Sequence, residues 1–238
     1  MRKTIIFLIF VIMITCLSSA HALELGLRGY YWIPELSGEI TDDISKTAHD
    51  LSSKNTPGLG LGDESYPIGE FYAGFGKSHL AISTYSADYS GKGNIAANFL
   101  GHAGGPAQTG LELQVIDLTY AFDLFSPNFV VGGFSLGLVI QGKNIDGSMS
   151  ADNTIEEFSC TIPMGGVKFD FKILLINGRL MYTTIGGVTD YRADLSMAIF
   201  PFVRAYAGYR SFSIDEEVGD FEFDFDTSGP YAAVSIGF

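Results

Sequence analysis

Val167-Lys168-Phe169-Asp170-Phe171-Lys172-Ile173 is the stretch on which the fold turns. Side chains along a β-strand point alternately to opposite faces. One face of this stretch is therefore Val, Phe, Phe and Ile, and the other is Lys, Asp and Lys. A period of 3.6 residues would mix the two sets on every face of a helix. The two-residue period recurs in Leu118-Thr119-Tyr120-Ala121-Phe122-Asp123-Leu124. It recurs again in Gly133-Phe134-Ser135-Leu136-Gly137-Leu138, where glycine and serine take the second face. Helical periodicity is hard to find anywhere, so the chain reads as all-β.

Working outward, the pattern predicts ten strands, near 23–33, 66–76, 79–90, 110–125, 129–143, 160–175, 179–188, 191–200, 202–215 and 221–238. Tight turns are expected at Gly76-Lys77-Ser78, Ser126-Pro127-Asn128, Asn177-Gly178 and Phe200-Pro201-Phe202, where Gly, Pro and Asn suit turn geometry. Between them lie long segments at 41–65 and 91–109, a medium one at 144–159, and shorter ones at 187–191 and 216–220. Short turns at one end and longer loops at the other are the layout of an outer-membrane barrel. If 187–191 were not a crossing point, the count would be eight.

A soluble, lipocalin-like barrel also alternates, with its apolar face inside. Two features favour the membrane. The polar faces carry charges of both signs in mid-strand: Lys168, Asp170 and Lys172; Asp117 and Asp123; Arg204 and Arg210. Such charges can satisfy one another in a narrow lumen, whereas a basic residue facing lipid at the bilayer midplane costs about 2–4 kcal/mol. Aromatics also collect at strand ends, with Tyr30, Tyr31 and Trp32 at one level and Phe125, Phe129, Phe200 and Phe202 at the other, as interfacial girdles would. No run of 18 apolar residues follows the first residues, so no helical crossing is expected.

The chain ends Gly229-Pro230-Tyr231-Ala232-Ala233-Val234-Ser235-Ile236-Gly237-Phe238. This resembles the C-terminal signal strand of bacterial outer-membrane barrels, with Val234, Ile236 and Phe238 at alternate positions. The resemblance extends in layout over the whole chain to small barrels of the OmpA, OmpX and OmpW type, without any subfamily motif. It implies recognition by the barrel assembly machinery and residence among outer-membrane lipid and lipopolysaccharide.

At the other end, Arg2 and Lys3, the apolar run Thr4–Ile14 and Ala20-His21-Ala22 read as an export signal, residues 1–22. Residues 23–238 are then one barrel domain. Cys16 follows Thr15 rather than a small residue of the lipoprotein kind. Removing the signal takes away two basic residues and no acidic one, moving the formal charge from −13 to −15. A chain so acidic excludes a nucleic-acid partner. Cys160 is then left without a second cysteine to pair with.

Motifs for chemistry are few. Gly133-Phe134-Ser135-Leu136-Gly137 matches the nucleophile-elbow pattern, yet it lies mid-strand rather than at a strand-to-helix turn. Gly76-Lys77-Ser78 lacks the first glycine of a phosphate loop, since Phe71 stands there. An outer-membrane lipid-modifying or hydrolytic enzyme would draw on His49, beside Asp50, Ser52 and Ser53, or on His102; His79 opens a strand at the periplasmic end. Acidic pairs such as Asp42-Asp43, Asp63-Glu64, Glu156-Glu157 and Asp215–Glu217 mark the outer rim and would attract cations diffusely, with no calcium-loop spacing. No metal site and no cofactor are expected.

Asp220-Phe221-Glu222-Phe223-Asp224-Phe225-Asp226 puts phenylalanine on odd positions, whereas the Phe238 end is apolar on even ones. A bulge near Gly229-Pro230 would reconcile the two phases. The leading functional reading is a non-enzymatic outer-membrane barrel, structural or narrow-pored, with Asp117, Asp123, Lys168, Asp170, Lys172, Arg204 and Arg210 as its lumen charge network. A barrel enzyme and a soluble periplasmic ligand-binding barrel are the alternatives.

Overall fold

The computed structural model describes residues 23–42, 46–55, 57–129, 131–218 and 221–237. The export signal expected at 1–22 lies outside the described residues, as do Phe238, Asp43 and Asp220. Among the described residues thirteen strands occur in chain order: β1 (Leu23–Trp32), β2 (Glu35–Asp42), β3 (Ala48–Asp50), β4 (Tyr66–Phe75), β5 (Ser78–Ile95), β6 (Gly105–Phe125), β7 (Asn128–Phe129), β8 (Gly132–Ala151), β9 (Thr154–Ile173), β10 (Ile176–Ile185), β11 (Val188–Phe200), β12 (Val203–Val218) and β13 (Phe221–Gly237). Ten of them, β1, β4, β5, β6 and β8 to β13, pair antiparallel in sequence order, and β1 closes on β13. Closure pairs the backbone all round, which a sheet needs if it is to stand in hydrocarbon.

The physical logic lies in a switch of faces partway up each long strand. On β6, the outward residues near the short-turn end are Ile116, Leu118, Tyr120, Phe122 and Leu124, and the inward ones include Asp117 and Asp123. Higher on the same strand, Glu112 and Gln114 point outward, while Leu111 and Val115 are buried inside. On β9, Val167 and Phe169 face out and Lys168 faces in; above them Ser159 and Thr161 face out while Phe158 and Met164 are buried. The lower zone is thus apolar outside and charged inside, and the upper zone is the reverse. Residues 116–124 of a tilted strand rise about 20 Å, close to the apolar band of an outer-membrane barrel. Above that level stands a water-facing collar with a hydrophobic core.

Part of the collar wall comes from the segment after β1. β2 pairs with the upper half of β13, and β3 pairs with β2. Residues 58–62 then carry the ladder across to β5, through hydrogen bonds such as Leu59 N–H to Asp50 O (2.8 Å) and Asn94 N–H to Gly58 O (2.9 Å). On the opposite side, β10 and β11 stop at Gly186-Gly187, so above them β9 faces β12 with no strand between. Gly186 adopts φ +53°, and a Cβ on Gly187 would lie 2.0 Å from the Asp215 carbonyl oxygen, so only glycines make this turn.

Several expectations need correction. No bulge occurs at Gly229-Pro230: the β12–β13 register runs unbroken from Val203↔Ile236 to Val218↔Phe221. The change of phase is the change of solvent, since Phe221, Phe223 and Phe225 point inward in the collar while Val234 and Ile236 point outward lower down. The medium loop expected at 144–159 is instead the top of the β8–β9 hairpin, closed at Asp152-Asn153. Its serines and acids face water while Ile145, Met149 and Phe158 fill the core. The turn expected at Asn177-Gly178 is made by Leu174-Leu175, because Gly178 pairs with Phe171 and a Cβ there would meet the Phe171 ring at 2.1 Å. Of the upper aromatic trio, Tyr31 faces out, but Tyr30 and Trp32 are buried inside, as strict alternation demands.

Candidate functional site: the lumen

Asp117 (β6), Lys143 (β8), Asp190 (β11) and Arg210 (β12) meet across the lumen where the charged zone gives way to the collar. Arg210 donates to Asp190 from Nε (3.2 Å) and Nη2 (2.7 Å), and from Nη2 to Asp117 (3.2 Å). Lys143 reaches Asp117 at 2.5 Å and Asp190 at 3.1 Å. Gln141 donates to Asp190 (3.4 Å) and accepts from Thr183 (2.7 Å), fixing that carboxylate from a second side. Two cations face two carboxylates, all of them buried, so the charges balance where unpaired ones would be very costly.

Aromatic rings close the space above. The Arg210 guanidinium lies 5.1 Å from the Trp32 ring and 5.6 Å from that of Tyr85, and Lys143 Nζ lies 4.5 Å from Phe212. Tyr66 stacks on Tyr85, and Phe158 packs on Phe221 and Phe223. Trp32 is fully buried and donates its indole N–H to Gly229 O at 3.1 Å. Phe99 and Leu100, in a short 3-10 turn, and Leu51 and Leu59 complete the apolar filling.

Below the ionic layer the register sets Arg192 directly opposite Arg210, a repulsive cross-strand pair. The two guanidiniums find different partners: Arg210 takes Asp190 and Asp117, whereas Arg192 shares Glu70 with Arg28 (3.4 and 3.1 Å). Tyr30 donates its hydroxyl proton to Glu70 (2.8 Å), and Tyr231 donates to Asp194 (2.8 Å). Nearer the short turns, Lys168 bridges Asp123 (2.6 Å) and Asp170 (2.9 Å), Arg179 binds Asp170 (2.7 Å), and His79 meets Asp123 (3.1 Å). These groups line a cavity of about 470 Å³ beside the short-turn end.

The structure therefore divides the seven lumen charges read from sequence. Asp117 and Arg210 meet in the upper layer; Asp123, Lys168 and Asp170 meet in the lower cluster; Lys172 and Arg204 line the cavity with no ion pair among the described residues. Arg28, Glu70, Lys143, Arg179, Asp190, Arg192 and Asp194 were missed. Each stands at a lumen-facing position of its strand, so inward parity carried to every strand would have found them. Val234 and Ile236, from the expected assembly signal, face outward on the last strand.

Among the described residues, His49, His79 and His102 are held by other partners than a nucleophile. His49 is fully buried against Phe99 (4.1 Å); its Nε2 accepts the Ala96 N–H (3.0 Å), so Nδ1 donates to Thr47 O (2.8 Å). It pins the segment after β2 to the top of β5. His102 Nδ1 accepts the Gly104 N–H, and its Nε2 meets Asp152 at 3.0 Å. The Asp152 carboxyl is held below its ordinary pKa by the Gln108 N–H and by His102. Ser135 lies within a strand and donates to Asp170 (3.3 Å). Burial pushes the Cys160 thiol up, with the Asp146 charge adding to the effect. Among the described residues, no three His, Cys, Asp or Glu side chains cluster as metal ligands.

A closed antiparallel sheet of ten strands, apolar outside around its lower zone and ion-paired within, defines a transmembrane β-barrel. Its short turns at one end and long strands at the other give it the form of a bacterial outer-membrane protein. No protein-family model matches the chain, and no curated protein does. Among solved structures it is similar to the outer-membrane protease OmpT from Escherichia coli, at 8% identity and TM-score 0.49, covering 90% of this chain and 97% of that one. It is also similar to Neisserial surface protein A, at 12% identity and TM-score 0.40, covering 92% and 100%. Ail, the attachment invasion locus protein of Yersinia pestis, is similar at 9% identity and TM-score 0.35, again covering 92% and 100%.

Proposed function

We propose that this chain is a non-enzymatic outer-membrane barrel with a closed lumen, a structural element that holds a rigid acidic collar at the cell surface. The observation that carries this reading is the buried Asp117–Lys143–Asp190–Arg210 layer under a packed aromatic core. An ion crossing the barrel would have to break the first and displace the second. The collar's outer face is acidic: Asp215, Asp224, Glu39 and Asp50 stand in one cross-strand row. Like charges so placed repel one another, and they make the collar a surface for cations or basic partners. Residues 23–238 form a single domain on this reading, freed from a signal at 1–22. The last strand is then the handle for the barrel assembly machinery, with lipid and lipopolysaccharide around the belt.

Single-channel recording in a planar bilayer, on purified protein folded in detergent, tests the closed lumen. Silence is the expected result. Discrete cation-selective steps from correctly folded protein would replace the structural reading with a narrow pore.

A further inference from the structure

The cavity beneath the ionic layer has a sign opposite to that of the molecule around it. The chain carries a formal charge of −13, yet the cavity is lined by six lysines and arginines against five carboxylates. The pairing within it is also uneven. Glu70 alone serves both Arg28 and Arg192, which are buried. Lys172 on β9 and Arg204 on β12 line the same cavity and, among the described residues, make neither ion pair nor hydrogen bond there; Glu24 and Asp194 in the lining also make no ion pair, so the surplus over the whole cavity is one cation. Both stand near the short-turn ends of their strands, and Ser126 of a short turn lines the same cavity, so the opening faces the periplasm.

We propose that this vestibule binds a small periplasmic oxyanion solute carrying carboxylate or phosphate groups. A volume of about 470 Å³ falls within the range of small-molecule sites. Guanidinium and ammonium groups bind such oxygens through charge-assisted hydrogen bonds, and low-dielectric walls focus the field of a surplus cation on the space they enclose. Arg204 and Lys172 meet the anion at the mouth, and the Arg28–Arg192 pair, under-neutralised by one carboxylate, draws it inward. The vestibule ends at the ionic layer, so the solute binds and leaves by the same opening. The inference does not depend on what the collar does outside the cell.

The test is calorimetric titration of the detergent-folded protein, in a buffer free of other polyvalent anions, with citrate and with inorganic phosphate. Saturable binding below the millimolar range is expected for at least one probe. It should weaken about tenfold or more in Lys172→Gln/Arg204→Gln and stay unchanged in Lys54→Gln/Lys92→Gln on the collar. In the unmodified protein, the bound probe should slow acylation of Lys172 relative to Lys77 in a short turn, which needs no variant to fold. No saturable binding of either probe, equal affinity in the Lys172/Arg204 variant, or equal labelling with and without probe would each overturn the proposal.

Discussion

Replacing Arg210 by Met tests the ionic layer where its geometry is tightest. The substitution keeps an unbranched stem but removes three hydrogen bonds, two to Asp190 and one to Asp117, and a cation against the Trp32 and Tyr85 rings. Two buried carboxylates are then left to share Lys143. Breaking a buried pair by removing one partner costs about 3–5 kcal/mol, chiefly because the surviving charge is uncompensated. With a urea dependence of about 2 kcal/mol per molar, the unfolding midpoint should fall by roughly 2 M. Trp32 is the sole tryptophan of the chain and lies against Arg210, so its fluorescence in lipid micelles reports the same spot. Adding Asp190→Asn restores one cation to one carboxylate and should recover at least half of the loss, a coupling that only contacting residues show. A midpoint within about 0.5 M of the parent, or a double variant as unstable as the two losses summed, would refute the balanced layer.

Two further outcomes follow from the change of faces. Leu138→Arg, on the outward row of β8 within the apolar belt, should cost about 2–4 kcal/mol in the same urea titration, whereas Asn144→Arg, three outward positions higher, should cost close to nothing; equal costs would misplace the boundary. Burial and the neighbouring Asp224 charge raise the Asp226 carboxyl above its ordinary pKa, with a Ser228 hydrogen bond opposing them. Ionising such a group opposes folding, so its contribution makes stability fall as pH climbs from the ordinary carboxylate value to the raised one, and then level off. Asp226→Asn should remove that downward step across about pH 3 to 7, measured as the urea midpoint at each pH; an unchanged profile would show that Asp226 is not the group responsible.

The all-β class, the ten barrel strands and the polar lumen were legible because one face of each lower strand meets lipid, which enforces a strict two-residue period. The collar was harder to read for a physical reason. In water the same strand keeps its parity but reverses which face is apolar, so Asn144–Ser159 looks like a polar loop until Ile145, Met149 and Phe158 are seen as its inward row. β2 was lost in the same way, its buried Leu36 and Ile40 alternating with Ser37, Glu39 and Thr41. Asn177-Gly178 misled because glycine there makes room for the Phe171 ring, a demand set by the neighbouring strand. Within the lumen, charges in the strongest alternating runs stood out. Arg28, Glu70 and Asp190 sit among tyrosines, glycines and threonines, where a single charge sets no visible pattern.

The reversal of faces is what places the membrane, closes the lumen and raises the collar, and spin-label accessibility along the outward row of β8 measures it directly. With Cys160 replaced by Ser, single cysteines at 134, 136, 138, 140, 144, 146 and 148 would carry the label in lipid bilayers. The account predicts labels at 134 to 140 that collide with dissolved oxygen and escape a water-soluble nickel relaxant, and labels from 144 upward that do the opposite. Equal access to the nickel reagent along the whole row would contradict it, and so would oxygen-dominated access continuing through 148.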